Sequence, residues 1–109
     1  MSDLKAAVDA HQSGRLAEAE AGYRAVLAAE PDQPFANNLL GILLNATGRG
    51  EEAVPLLEKA VALRPQNGEF HNNLGEALRL SGRFAEAVSI FNRALELLGP
   101  NPAVYGNRG

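Results

Sequence analysis

Apolar residues along this chain recur at intervals of three and four, in blocks that glycine or proline closes. Leu4, Ala7, Val8 and His11 share one helical face and predict a first helix over Leu4 to Gln12, with Ser2 as its N-cap. A second helix is predicted over Leu16 to Ala29. Pro31 ends it, because the residue before a proline is pushed out of the helical region. Gly22 lies inside that helix at a cost on the order of 1 kcal/mol relative to alanine, and the close approach of another helix would be its reason. Pro34 suits the first turn of a third helix, which passes Asn37, Leu40, Gly41 and Leu44 on its way to Gly48. The fourth, from about Glu51 to Leu63, contains Pro55. A proline there removes a backbone hydrogen bond, so a late start or a kink near Glu51 and Glu52 is expected. Two further helical faces follow, one through His71, Leu74 and Leu78 and one through Phe84, Ala87, Val88, Phe91, Ala94 and Leu95.

The blocks repeat. Ser13-Gly14-Arg15-Leu16-Ala17-Glu18-Ala19 returns as Thr47-Gly48-Arg49-Gly50-Glu51-Glu52-Ala53 and again as Ser81-Gly82-Arg83-Phe84-Ala85-Glu86-Ala87. The spacing of about 34 residues is that of a helical repeat array. Each copy reads as a tight turn between two helices. Its glycine takes the left-handed conformation that stops the first helix, and its glutamate complements the positive end of the second. The closing alanine lets a neighbouring helix come close. Beyond the third block, Gly109 falls in register with Gly41 and Gly75, Tyr105 with His71 and Asn107 with Asn73, so residues 102–109 read as the opening of a fourth unit.

Composition narrows the function classes. The chain has 109 residues, one domain by length, and its abundance of alanine and leucine over β-branched residues favours helix. A net charge of −3 gives no basic face for nucleic acid. Cysteine is absent, which removes disulfides and thiolate metal sites. The start, Met1-Ser2-Asp3-Leu4-Lys5, carries no apolar run of the signal-peptide kind, and Leu39 to Leu44 is too short to span a bilayer. A soluble, cytoplasmic protein is expected.

Catalytic chemistry finds little footing. His11 and His71 belong to different helices and faces, which gives neither a metal pair nor a base with its orienting partner. Glu18/Glu20 and Glu51/Glu52 sit at solvated helix starts, and the glycines mark turns rather than a phosphate loop. No cofactor, metal or enzyme activity is expected.

These residues resemble the tetratricopeptide repeat family over the whole chain. Leu74, Gly75, Ala87 and Phe91 carry the likeness in the third unit, Leu40, Gly41, Ala53 and Pro65 in the second, and Ala6, Ala7, Ala19, Tyr23 and Pro31 in the first. There are departures: Asp3, Asn37 and His71 hold the first aromatic position, Leu44 and Leu78 replace a tyrosine, and Gly50 stands in the slot that Leu16 and Phe84 fill with a hydrophobe. Gly50 and Pro55 make the middle turn the expected loosest joint, and Phe84 makes the last the best packed. The resemblance implies an all-α fold, a right-handed superhelix of antiparallel helix pairs, with each unit touching only its neighbours. It divides one domain, 1–109, into repeats of about 1–33, 34–67 and 68–101 and the partial fourth unit 102–109.

In this family the first helix of each pair lines a concave groove. The positions that carry over are Leu4, Lys5, Val8, His11 and Gln12, then Phe35, Asn38, Leu39, Ile42 and Asn45, then Glu69, Asn72, Asn73, Glu76 and Arg79. Asparagine is a poor residue inside helices, and its amide both donates and accepts. Asn38, Asn72 and Asn73 therefore suit the main chain of an extended peptide, while bonds to the neighbouring repeat are the structural alternative. Leu4, Val8, Phe35, Leu39 and Ile42 would form an apolar strip. Some family members grip a C-terminal carboxylate with basic residues. Here Leu4, Val8, Leu39 and Glu69 occupy most of those positions and only Asn73 agrees, so that role is not expected. The function implied is a non-catalytic scaffold that binds a protein or peptide partner. The alternative is an N-terminal substrate-recruiting or oligomerisation module of a larger bacterial transferase of the glycosyltransferase kind. Self-association through Val88, Phe91, Leu95 and Tyr105 is expected at the uncapped C-terminal end.

Overall fold

A computed structural model of the chain describes residues 2–99. Six helices run in order: α1 (Ser2–Gln12), α2 (Leu16–Ala29), α3 (Pro34–Ala46), α4 (Gly50–Leu63), α5 (Gly68–Leu80) and α6 (Phe84–Leu98). They pair as three hairpins, α1 with α2, α3 with α4 and α5 with α6, and each hairpin packs on the next. Among the described residues there is no strand, and the fold is the all-α solenoid that the repeat implies. Tyr105, Asn107 and the segment 102–109 lie outside the described residues.

The repeated turn has one geometry in its three copies. Gly14, Gly48 and Gly82 adopt φ of 81°, 77° and 78°, a region that costs a side chain but not glycine. The following arginine then returns its N–H to the helix just ended: Arg15 to the Ala10 carbonyl at 2.9 Å, Arg49 to Leu44 at 2.8 Å and Arg83 to Leu78 at 2.9 Å. This bond defines a Schellman stop. The arginine side chain next meets the glutamate three residues on, in Arg15–Glu18, Arg49–Glu52 and Arg83–Glu86. Stop, turn and restart are thus written in one short string. The longer links between hairpins use another device. Gln33 and Asn67 cap α3 and α5 by accepting from the N–H of Ala36 (2.9 Å) and Phe70 (3.0 Å).

The core runs through all three hairpins. Tyr23, Leu40, Leu43, Leu44, Leu57, Leu74 and Leu78 are buried, with alanines at 7, 10, 19, 53, 77 and 87 letting the helices close on one another. Gly22 has the reason expected of it, because a Cβ there would lie 2.8 Å from the Cβ of Ala7. In the later hairpins the bare backbone is on the first helix instead, under Leu57 at Gly41 and under Phe91 at Gly75.

Two expectations about the middle hairpin are corrected. Of the late start or kink expected there, the late start does not occur: α4 runs from Gly50 to Leu63 with Pro55 inside. The bond lost to Pro55 would have gone to the Glu51 carbonyl, and both residues are exposed, so the loss falls on the solvent side of the helix. Nor is the middle turn the loosest. Gly50 is buried, and a Cβ on it would stand 2.8 Å from the Cβ of Leu80 and 3.3 Å from the Ala77 carbonyl. The slot presumed to hold a packed hydrophobe is exposed where a hydrophobe does occupy it: Leu16 is 37% and Phe84 63% exposed. The last turn is the open one.

Candidate peptide groove

The first helix of each hairpin supplies the candidate face. α3 and α5 touch directly, although α4 lies between them in the chain. Of the residues expected on this face, Lys5, Gln12, Phe35, Glu69, Asn72 and Arg79 are exposed. Leu4, Val8, His11, Leu39, Ile42, Asn45, Asn73 and Glu76 are half-buried. Asn38 alone is buried.

The asparagines divide by what their amides already hold. Asn73 donates from Nδ2 to Oδ1 of Asn38 at 2.9 Å, a side-chain bond across two units. Asn45 donates to the backbone carbonyl of Asn73 at 3.4 Å, and its own Oδ1 is buried without a protein partner. These three amides tie α3 to α5. Asn72 is exposed, on the helix next to the tied Asn73. Asn37 faces elsewhere. It is buried and donates to the carbonyls of Pro31 (3.1 Å) and Gln33 (2.9 Å).

His71 holds the slot of Asn37 one unit later and makes the equivalent bond, its Nε2 lying 2.9 Å from the Pro65 carbonyl. A carbonyl only accepts, so the proton is on Nε2, and the buried Nδ1 is left without a partner. The ring's packing position was legible from the repeat; its bond to the preceding hairpin was not. A second pair escaped the sequence entirely. Nδ1 of His11 lies 2.8 Å from the buried hydroxyl of Tyr23, with the rings edge to face at 5.7 Å. Leu57 and Phe91 fill the same slot as Tyr23 without a polar group, and only tyrosine needs a partner there. Burial pushes the Tyr23 hydroxyl above its ordinary pKa.

At the edge of the face, Phe35 is 48% exposed and stands T-shaped to buried Phe70 at 5.8 Å. Glu76 and Arg79 are paired through two oxygens, which raises the Arg79 pKa further. Among the described residues, no three His, Cys, Asp or Glu side chains are grouped to hold a metal ion. A pocket of about 30 Å³ between Asp3, Leu4, Val26, Ala29, Glu30 and Gln33 is water-sized.

This arrangement defines the class: stacked helical hairpins presenting a mixed amide and apolar face. The family model described as Tetratricopeptide repeat matches residues 32–99, and the chain belongs to that family. Among solved structures, a variant of the Thermobaculum terrenum O-GlcNAc transferase is 33% identical with a TM-score of 0.88. The match covers 97% of this chain and 20% of that one. MamA of AMB-1 is 29% identical with a TM-score of 0.84, over 94% of this chain and 56% of that one. MamA of MSR-1 is 27% identical with a TM-score of 0.76, over 89% and 59%. The chain therefore spans a fifth of the transferase and a little over half of each MamA. No curated protein sequence matches it.

Proposed function

We propose that the chain is a non-catalytic scaffold that holds an extended peptide or a partner helix along the face of α1, α3 and α5. The observation that carries this reading is the composition of that face. The face carries exposed Asn72 and Phe35 together with half-buried Val8, Leu39 and Ile42, so main-chain grip and apolar contact are both on offer. Asn38, Asn45 and Asn73 set the spacing, while Lys5, Gln12, Glu69 and the Glu76–Arg79 pair give the rim its charge and polarity. The reading includes a cytoplasmic setting and no role for nucleic acid. No helix of the described residues is long and apolar enough to cross a membrane. It also places contact between copies at the C-terminal end, through Val88, Phe91 and Leu95.

Fluorescence anisotropy with labelled candidate peptides tests the groove. Phe35→Ala with Asn72→Ala should weaken a peptide that binds by about tenfold, roughly 1.4 kcal/mol, with the melting temperature held near that of the parent. Binding that survives both substitutions would refute this groove as the site.

A second reading, as the N-terminal substrate-recruiting or oligomerisation module of a larger bacterial transferase, is favoured by the 33% identity to a segment of the Thermobaculum terrenum enzyme. The intact mass of the natural protein decides it, since 11.5 kDa would leave no room for a transferase domain.

A further inference from the structure

The links that lead into α3 and α5 share a capping device but not a chemistry. Gln33 and Asn67 hold the same slot, each with its side-chain oxygen on the N–H three residues ahead. Pro34 follows the first and has no N–H, whereas Gly68 follows the second. In the next copy of the slot, Asn101 is again followed by a proline, Pro102. Asn67–Gly68 is the single asparagine–glycine pair in the sequence. Packing explains its glycine. Gly68 is buried against the end of α6, where a Cβ would lie 2.7 Å from Cγ of Leu98 and 3.1 Å from Cβ of Leu97.

We infer that Asn67–Gly68 is a site of spontaneous deamidation, held off by the seating of α5. The Gly68 nitrogen gives its proton to solvent and attacks Cγ of Asn67. The Cγ–Nδ2 bond breaks, ammonia leaves, and a five-membered succinimide closes. Water attacking Cγ then yields aspartate at position 67. Water attacking the main-chain carbonyl yields isoaspartate, whose backbone runs through Cγ and is one methylene longer. One water is consumed and one ammonia released, with no oxidant or enzyme. Glycine leaves the nitrogen unshielded by any side chain, and proline in the two sister slots has no proton to give.

The folded link opposes ring closure. Asn67 stands at φ −84° and ψ 103°, which turns the Gly68 nitrogen away from the Asn67 side chain. Oδ1 of Asn67 accepts from the Phe70 N–H at 3.0 Å. The Asn67 N–H donates to the Arg64 carbonyl at 3.0 Å, and its carbonyl accepts from the His71 N–H at 3.3 Å. Bringing the nitrogen onto Cγ breaks the cap and lifts Gly68 off Leu98, so the reaction proceeds only when the start of α5 opens. The two products differ in consequence. Aspartate still accepts from Phe70, and its charge suits the positive end of α5. Isoaspartate cannot keep both the cap and the seat of Gly68, so it loosens the helix that carries the Asn73 tie to Asn38.

Peptide mapping by mass spectrometry, on the full chain held at mildly alkaline pH with and without guanidinium chloride, tests both site and gate. The amide-to-acid mass gain should appear first in the peptide spanning Asn67, and about tenfold or more slowly in the folded chain than in the unfolded one. Leu98→Ala should speed the folded chain's reaction by about threefold or more and leave the unfolded rate unchanged. Leu98 is half-buried at the end of α6, so that variant should stay folded, which circular dichroism checks. Asn67→Asp should melt near the parent temperature and the isoaspartyl fraction below it. A gain that appears first at another asparagine, or none at Asn67 in the unfolded chain, would overturn the site. Equal rates in the folded and unfolded chains would overturn the gate. Peptide binding at Phe35 and Asn72 is read separately and does not depend on either result.

Discussion

The two joints between hairpins fill equivalent slots with opposite chemistry. At the first, the slots of α2 hold Leu16 and Glu20. Leu16 is 37% exposed, and Glu20 pairs with Arg49 across the joint and with Arg24 on its own helix, with Glu52 at the edge of the network. At the second, the same slots of α4 hold Gly50 and Val54. Both are buried, and Leu80 lies directly against Gly50. One joint is tied by ions in contact with water and the other by backbone approach. Exposed ion pairs contribute about 0–1 kcal/mol, whereas changes in a packed contact cost about 1–3 kcal/mol, so the second joint should be the more sensitive.

Exchanging the residues tests that difference. Val54→Glu puts the first joint's carboxylate into a slot only 4% exposed and should destabilise by about 2–4 kcal/mol in urea unfolding. The reciprocal Glu20→Val should move stability by less than about 1 kcal/mol. If the two changes cost the same, the contrast between the joints is wrong.

Gly50→Leu restores the residue type of the first joint and should cost about 1–3 kcal/mol. The Ala77 carbonyl that would crowd it is backbone and has little room to yield. A variant melting at or above the parent temperature would show that the approach of α5 to α4 is not set by Gly50.

Glu20→Gln should have the smallest effect, and a pH-dependent one. The hydrogen bond from Arg49, and after it that from Arg24, holds the Glu20 carboxyl below the usual carboxylate range. A lowered folded-state pKa adds stability that is fully present above the unfolded value and is lost as pH falls through the folded one. The parent should therefore outlast the variant at neutral pH by less than about 1 kcal/mol, and the two melting curves should converge on acidification. A gap that widens in acid would contradict the pairing.

The repeat made most of this fold legible because its signals are local. Gly14, Gly48 and Gly82 stop helices through bonds within six residues, and α2 has the bounds that Pro31 and the apolar spacing predict. What stayed hidden depends on contacts between units. Gly50 looked like a missing hydrophobe because nothing near it in sequence announces Leu80, thirty residues on. The candidate face shows the same limit. Asn38 and Asn72 hold the same slot, yet Asn38 is buried with its oxygen taken by Asn73 and Asn72 is exposed. Asn38 is taken because α5 of the next hairpin packs on α3, a contact between units that residue type does not encode. His11 was readable as a groove position and Tyr23 as a position of the repeat, but the bond between them needed the hairpin to close.

The bond from Asn73 to Asn38 makes the separation of two groove helices depend on the state of two amides. A ligand that recruits either amide for its own main chain competes with that tie, so occupancy and curvature become a single variable. Reciprocity then requires that any load stretching or bending the array along its axis also change the affinity of the face. If the face binds a peptide as proposed, strain along the array and that binding would be coupled through the same bond.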